Sequence, residues 1–164
     1  MMKNYLKPLI IALLAFALIS CDKDDDNING SARESALFGQ WEYEAIESNT
    51  AVDINGDGTV NFDFYNTNEI RQCLKDDLTF FTNGPAEVGK NVFSINENGL
   101  SCGEVDPFNT VESDEYELVD NEILRFDNRN DMRIVSFTRN RLVLEQDDYL
   151  DGQNVVITYT YKRS

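Results

Sequence analysis

Residues 40–47 of the chain read QWEYEAIE, and large or apolar side chains alternate in this stretch with charged ones. Trp41, Tyr43 and Ala45 fall on one face of an extended chain, whereas the glutamates fall largely on the other. This period of two predicts a β-strand with one buried face. Residues 155–161 alternate in the same way, so two clear strands bracket the sequence between them.

Turn-forming pairs such as Asn98-Gly99 and Asp151-Gly152 recur at short spacing between these two strands. They divide the sequence into successive hairpins. The predicted strands are residues 40–47, 77–82, 91–96, 115–119, 122–127, 133–138, 141–147 and 155–161. Sequential antiparallel strands of this number must close into a barrel or split into a sandwich, so the chain is all-β.

The alternation also assigns side chains to the interior. The predicted inward set is Trp41, Tyr43, Phe80, Phe93, Leu118, Phe126, Leu144, Ile157 and Tyr159. Only residues 59–73 fit two patterns, a strand or a helical face. A short helix or irregular excursion is favoured there because Asn66-Thr67-Asn68 interrupts any strand.

The composition excludes several classes of function. The 164 residues include 14 Lys and Arg against 30 Asp and Glu, a formal net charge of -16, and no histidine. Without histidine, Ser-His-Asp catalysis, Cys-His catalysis and His-ligated zinc are excluded. The negative charge repels phosphate backbones, so nucleic acid is not an expected partner. We expect a protein that is not an enzyme and has no obligatory cofactor.

The N-terminus predicts export and a lipid anchor. The apolar run Leu9–Ile19 is too short to span a bilayer, which takes ~20 residues, but it suits a secretory signal. Leu18-Ile19-Ser20-Cys21 resembles the lipobox of bacterial lipoproteins, which implies a signal peptide of residues 1–20 and acylation of Cys21. Acyl chains would then attach the protein to a membrane that it does not span.

Residues 21–36 form a polar, acidic segment that cannot bury enough apolar surface to offset its ordering entropy. We interpret it as a disordered tether before a domain of residues 37–164. Its run Lys23-Asp24-Asp25-Asp26 resembles the surface-export signal of Bacteroidetes lipoproteins, which implies a lipid-anchored outer-membrane protein exposed at the cell surface. The alternative is a merely solvated spacer.

A possible metal site lies in residues 53–61, DINGDGTVN. Asp53, Asn55 and Asp57 stand at positions 1, 3 and 5 of a calcium-binding loop, where side-chain oxygens point at one cation. Position 12, which should supply a bidentate carboxylate, is Phe64. The motif therefore fits either a weak structural calcium site or a tight turn without an ion.

Two cysteines, Cys73 and Cys102, remain once Cys21 is acylated. In an exported chain such a pair favours a disulfide. Closing a loop of this length contributes about 3.6 kcal/mol in the chain-entropy model. A catalytic thiol would lack a histidine to activate it, so the predicted bridge is structural.

Gly39-Gln40-Trp41 opens the first strand and is similar to the G-x-W signature of lipocalins. With DINGDG at 53–58, CLKDDLTF at 73–80 and Asn83-Gly84, the order of motifs resembles the lipocalin-like lipoproteins of Bacteroidetes. The resemblance implies an eight-stranded up-and-down barrel with the tryptophan across its closed end. It also implies a late basic residue over that ring, either Lys162 or Arg163.

Two functions fit this resemblance. In the first, a monomeric, membrane-anchored barrel binds a small apolar or amphipathic molecule. The residues predicted to line that site are Trp41, Tyr43, Phe80, Phe93 and Tyr159. In the second, the protein is a non-enzymatic surface module whose loops contact a protein or a glycan. Eight-stranded barrels can be filled by their own side chains or hold one small ligand, so the interior discriminates the two.

Overall fold

The structure of the chain is a computed structural model that describes residues 32–85, 89–103 and 110–164. Nine strands and two short helices lie within these residues. In chain order they are α1 (Arg33–Leu37), β1 (Gly39–Val52), β2 (Asn61–Asp63), α2 (Gln72–Lys75), β3 (Leu78–Thr82), β4 (Asn91–Asn96), β5 (Thr110–Val119), β6 (Ile123–Phe126), β7 (Met132–Phe137), β8 (Arg141–Leu150) and β9 (Gln153–Arg163).

Eight of the strands close into an antiparallel barrel. From β3 to β9 each strand pairs with the next one along the chain, and β1 pairs with both β3 and β9. Trp41 thus lies between Thr79 on one side and Arg163 on the other. The eight predicted strands and the all-β barrel are confirmed. The extra strand β2 lies beside the second half of β1, where β3 has left it.

A bulge in β1 changes which of its side chains face the interior. Tyr43 pairs with Tyr161, and the next pairs are Ala45 with Thr160 and Ile46 with Tyr159. One extra residue is thereby inserted in β1, which shifts the inward row by one position. Ile46, 4% exposed, continues the buried row. The placement of Ala45 on the inner face was therefore wrong, because strict alternation assumes a ladder without bulges.

Strand β3 is one residue out of its predicted phase. Thr79 and Phe81 are fully buried, and Phe81 belongs to the core cluster. Phe80 lies between them and faces the other side of the sheet. The inward assignment of Phe80 was wrong because two successive phenylalanines satisfy either alternation. The pairing of Thr79 with Trp41 decides between them.

The apolar residues inside the barrel form two clusters. The larger is made of Leu37, Trp41, Phe81, Phe93, Tyr116, Leu124, Phe126, Met132, Ile134, Phe137, Leu142, Leu144 and Tyr161. The smaller is made of Ile46, Val52, Phe64, Val155 and Ile157. Tyr43 and Tyr159 pack against both clusters and so connect them. Of the predicted inward set, Leu118 also packs against the larger cluster.

The connection between β1 and β3 is mostly irregular. Both patterns predicted for residues 59–73 occur in part, because β2 covers Asn61–Asp63 and α2 begins at Gln72. The predicted disulfide is confirmed: Cys73 is bonded to Cys102, with a Cα–Cα distance of 5.2 Å. It ties this connection to the segment that follows β4.

The described part of the chain begins at residue 32, directly before helix α1. The signal, Cys21 and the acidic run lie outside the described residues. Helix α1 takes up residues 33–36, which the sequence assigned to the tether, because Arg33 and Leu37 bury their side chains against the barrel. Within the ranges that the structure covers, no helix is long and apolar enough to cross a membrane.

Candidate functional site

The end of the barrel next to α1 is closed by Trp41 and Arg163. The Trp41 indole Nε1 donates a hydrogen bond of 2.8 Å to the carbonyl oxygen of Leu37. The Arg163 guanidinium lies 4.3 Å from the Trp41 ring and donates to the carbonyl oxygens of Ala36, Phe38 and Arg139. The expected basic residue over the tryptophan is therefore Arg163, and this side chain joins the end of β9 to the α1 segment and to the turn between β7 and β8.

Gly39 is explained by the same contact. Its φ of +133° is a conformation that side chains with a Cβ rarely adopt. A Cβ placed there would stand 2.7 Å from Nη1 of Arg163. The glycine of the G-x-W motif thus leaves the space through which the guanidinium reaches the tryptophan.

Above the closed end, four rings fill the interior with their own atoms. We call Phe81, Phe93, Tyr116 and Phe126 the aromatic layer. Phe93 meets Phe81 and Phe126 edge to face, with ring centroids 5.4 and 5.3 Å apart. Phe81 meets Tyr116 in the same way at 5.6 Å. These geometries are those of a packed core, so the barrel is filled at this level.

Beside these rings the interior is lined by Tyr43 of β1 and by Tyr159 and Tyr161 of β9. We call these three the tyrosine layer. Tyr43 stacks on Tyr161 at 4.8 Å and contacts Tyr159 at 6.1 Å between ring centroids. Tyr161 is fully buried, but Tyr43 and Tyr159 retain exposed surface although they point inward. Solvent-sized space therefore reaches the interior at this level.

Several buried polar atoms around the tyrosine layer have no hydrogen-bond partner. Thr79 Oγ1, the Tyr161 hydroxyl and Asp77 Oδ1 have no hydrogen bond of good geometry within the described part of the chain, although the Tyr43 hydroxyl lies next to the first two. The three residues are 0%, 0% and 3% exposed. Asp77 directly precedes β3, and its charge acts on the Tyr43 hydroxyl, so its carboxyl lies near the tyrosine layer. Buried polar groups are normally paired, so these atoms are exceptions, as is the Tyr116 hydroxyl in the aromatic layer.

Electrostatics set Asp77 apart from the other buried acids. Burial, together with the nearby charges of Asp76 and Glu97, raises the pKa of the Asp77 carboxyl from 3.8 to about 6. Burial also raises the pKa of Tyr43, whose hydroxyl lies close to those of Tyr161 and Thr79 and feels the charges of Arg129 and Asp77. Asp77 therefore belongs to the same environment as the tyrosine layer.

Arg129 enters the barrel from the connection between β6 and β7. Its guanidinium carbon lies 4.6 Å from the centroid of the Phe93 ring and 5.1 Å from that of Phe126. Nη1 forms an ion pair of 2.8 Å with Glu112, and Nη2 donates to the side-chain oxygen of Gln146. The positive charge is thus already matched by a carboxylate.

The residues predicted to bind a ligand separate into three groups. Tyr43 and Tyr159 line the accessible level together. Trp41 closes one end, and Phe93 belongs to the filled aromatic layer. Phe80 lies on the outer face. Sequence reasoning missed Asp77 and Arg129, because the chain is so rich in acids that no single one stands out and because Arg129 follows a strand rather than lying in one.

The loop of residues 53–61 is organised by its own hydrogen bonds. The Asp53 carboxylate accepts bonds from the backbone N–H groups of Gly56, Asp57 and Gly58. Glu69, only 4% exposed, accepts bonds from the backbone N–H groups of Ile54 and Asn55. Across the residues that are described, no group of three or more acids or cysteines is arranged to hold a metal ion. Calcium at Asp53, Asn55 and Asp57 stays a prediction.

Comparisons with known proteins give likenesses of structure only. No protein-family model matches the chain, and no curated protein sequence matches it. Among solved structures, the Ex-FABP siderocalin is 15% identical, covering 79% of this chain and 75% of its own, with a TM-score of 0.49. An odorant binding protein, OBP1, is 13% identical, covering 84% and 75%, with a TM-score of 0.48. A bovine odorant binding protein is 17% identical, covering 79% and 74%, with a TM-score of 0.43.

These sequence identities and TM-scores are low, so the fold assignment rests on the chain's own geometry. Eight strands in sequential order, a helix at one end, and an arginine over the first-strand tryptophan together define a lipocalin-like barrel. The fold that the G-x-W resemblance implies is therefore present.

Proposed function

We propose that the barrel binds a small apolar or amphipathic molecule at the tyrosine layer. The observation that carries this proposal is that Tyr43 and Tyr159 point inward yet remain partly exposed. One end of such a site is apolar, because it is bounded by the packed aromatic layer. The other end is polar, because it carries the unpaired atoms of Thr79, Tyr161 and Asp77. Sites of this composition, apolar with a few placed polar groups, are typical of small-molecule binding.

Fluorescence of N-phenyl-1-naphthylamine tests this proposal. We expect its emission to rise on binding to the purified protein, and Tyr159→Ala to weaken that binding severalfold. Tyr149→Ala is the matched control, because Tyr149 is 65% exposed and lies outside the barrel. Equal probe binding by all three proteins would reject the site. Native mass spectrometry of protein purified from its own membrane would identify any lipid that co-purifies.

We further propose that the protein is a lipoprotein held at the cell envelope through Cys21, at the outer membrane and exposed on the cell surface. The sequence Leu18-Ile19-Ser20-Cys21 and the acids behind it support this proposal. Cys21→Ser should release a folded domain into the soluble fraction, because acyl chains alone would supply attachment. A Cys21→Ser protein that still pellets with membranes would contradict the anchor. Loss of surface labelling on changing Asp24, Asp25 and Asp26 to Ala would test export.

A second candidate function is contact with a glycan. An open groove of about 460 Å³ at the far end is lined by Asn130, Asp131, Asp147, Asp148, Tyr149 and Asn154. An exposed ring beside carboxylates and amides offers a stacking face and hydrogen-bond acceptors to a sugar. A glycan array probed with the wild type and Tyr149→Ala would test it. No glycan signal for the wild type, or an unchanged signal for the variant, would reject this function.

A further inference from the structure

Asp77 is a buried carboxyl without a counter-charge. It is 3% exposed, and its Oδ1 accepts no hydrogen bond. Among the described residues, no cation forms an ion pair with it. Its charged neighbours, Asp76 and Glu97, have the same sign. A buried anion in such surroundings is costly unless a cation or donor completes it.

The other buried acids at this end of the barrel are already satisfied. Glu97 accepts bonds from the backbone N–H of Cys102 and the hydroxyl of Ser101. Asp114 accepts bonds from the backbone and side-chain amides of Asn128. Glu112 is exposed and is paired with Arg129. Asp76 accepts the backbone N–H of Leu100 through Oδ2, although its Oδ1 has no partner. Asp77 is therefore the buried acid at this end whose carboxylate accepts no hydrogen bond.

The two nearby cations cannot supply the missing charge. Arg129 is engaged with Glu112 and Gln146, and its guanidinium stacks on two rings of the aromatic layer. The Lys75 ammonium donates to the carbonyl oxygen of Thr67, and the charge of Asp63 acts on it. A positive group beside Asp77 would have to come from a bound molecule.

Aromatic faces next to a carboxylate favour one kind of ligand group. The rings of Tyr43, Tyr159 and Tyr161 present electron-rich faces, which attract cations. The unpaired hydroxyls of Thr79 and Tyr161 add acceptors for N–H donors. The net charge of -16 also draws cations toward the protein and repels anions.

We propose that the tyrosine layer and Asp77 select amphipathic amines. The protonated amine pairs with the Asp77 carboxylate and lies against the faces of the tyrosine rings, while the apolar tail lies along the barrel interior. This inference rests on the proposed binding function and specifies its ligand class. It differs from binding of neutral apolar molecules or fatty acids, for which neither a buried acid nor unpaired hydroxyls are needed.

Calorimetric titration of the purified protein with octylamine, 1-octanol and octanoate tests the inference. The three probes share one tail and differ in head-group charge. We expect octylamine to bind at least about tenfold more tightly than 1-octanol, as a charge-assisted hydrogen bond allows, and octanoate to bind most weakly. Equal binding of octylamine and 1-octanol, or tighter binding of octanoate, would overturn the amine assignment and leave the barrel as a binding site. Binding of none of the three would overturn both.

Asp77→Asn gives the residue-level test. The variant should bind octylamine no better than 1-octanol, with 1-octanol affinity unchanged. Asp120→Asn is the matched control, because it removes the same charge from an exposed turn between β5 and β6 and should leave the preference intact. An unaltered amine preference in Asp77→Asn would overturn the role of this carboxylate. If Asp77→Asn does not fold, the comparison of the three probes on the wild type still decides.

The pH dependence of octylamine binding is an independent readout. Asp76 and Glu97 act on Asp77, and Asp77 and Arg129 both act on Tyr43. Since the Asp77 pKa is about 6 in the free protein, octylamine affinity should fall severalfold between pH 7 and pH 5, whereas 1-octanol affinity should stay constant. A flat octylamine profile over this range would contradict the carboxylate as counter-ion.

Discussion

The buried polar residues of this barrel are of two kinds, those whose polar atoms have partners and those whose polar atoms do not. Arg163 has its donors matched by three carbonyl oxygens and its face matched by the Trp41 ring. Thr79, Tyr161 and Asp77 instead bury polar atoms that nothing in the described chain pairs. A matched group stabilises the fold, whereas an unmatched one costs free energy until a ligand or water completes it. Substitutions of the two kinds should therefore shift stability in opposite directions.

Arg163→Lys should destabilise the domain by about 2 kcal/mol. A lysine cannot reproduce the planar stacking on Trp41 or the three directed hydrogen bonds. Urea unfolding followed by tryptophan fluorescence measures the loss. Lys162→Met is the control, because Lys162 forms only an exposed ion pair with Glu42 and should cost less than about 1 kcal/mol. Equal losses in the two variants would contradict the closure at this end.

Tyr161→Phe should stabilise the protein without ligand by about 1 kcal/mol. The substitution keeps the ring and removes a buried hydroxyl that lies beside the Tyr43 hydroxyl but forms no hydrogen bond of good geometry. The midpoint of urea unfolding reports the gain, with Tyr149→Phe as a control at an exposed tyrosine. A destabilised Tyr161→Phe would mean that the hydroxyl is paired in solution.

The raised pKa of Asp77 predicts a cost in folding free energy that depends on pH. The ordinary value is 3.8 and the folded value is about 6, so the folded state holds a proton over this range that the unfolded state has lost. The penalty is absent below pH 4 and complete above pH 6, where it reaches about 2 to 3 kcal/mol. Asp77→Asn should therefore exceed the wild type in stability at pH 7 and match it at pH 4.

Unfolding by urea at the two pH values measures this difference. Other acids titrate equally in both proteins, so only the change in the difference between them reports on Asp77. A constant difference from pH 4 to pH 7 would show that the carboxyl titrates normally.

At the scale of elements, period-two alternation was enough to place all eight barrel strands. It failed at two positions for local reasons. The bulge after Tyr43 leaves no mark in the sequence, since any residue can occupy it. The pair Phe80 and Phe81 satisfies both phases of alternation, and only pairing with β1 selects one. The irregular connection before β3 was unpredictable in detail, because it is held by Glu69 and a disulfide rather than by a periodic pattern.

The calcium prediction belongs to this connection. Millimolar calcium should raise the midpoint of thermal unfolding by about 2 °C or more if Asp53, Asn55 and Asp57 bind the ion, because ligands stabilise the state that binds them. Asp57→Ala should abolish the shift. The Asp57 carboxylate is exposed and accepts bonds only from within the loop, from the backbone N–H of Thr59 and the side-chain amide of Asn55. No shift, or the same shift in the variant, would leave a turn without an ion.

At the scale of the whole molecule, the barrel is filled at the aromatic layer, whereas Tyr43 and Tyr159 of the tyrosine layer stay partly exposed. The sequence predicted aromatic residues inside but not at which level each would lie, because level depends on strand register. The candidate site was therefore found only in part: Tyr43 and Tyr159 were predicted, whereas Asp77 came from three-dimensional proximity. Because the sequence is rich in acids, nothing in it singled out the buried carboxyl of Asp77.

Phe93→Ala tests the filled level. Phe93 is fully buried and touches two neighbouring rings, so its truncation should cost about 3 to 5 kcal/mol. Phe62→Ala is the same substitution at a residue that is 59% exposed, and it should change stability by less than about 0.5 kcal/mol. Thermal and urea unfolding of the two variants give the comparison. A small loss for Phe93→Ala would mean that the aromatic layer encloses a cavity.

Helix α1 and the C-terminal end of the chain meet at Arg163, which has a consequence for how the barrel can be held at a surface. Helix α1 and Ser164 lie at the same pole, since the Ser164 backbone N–H donates to the carbonyl oxygen of Gln40. A surface that holds helix α1 would therefore face the closed end, and the far end of the barrel would point away from that surface. A fluorophore on the C-terminus would likewise lie at the closed end.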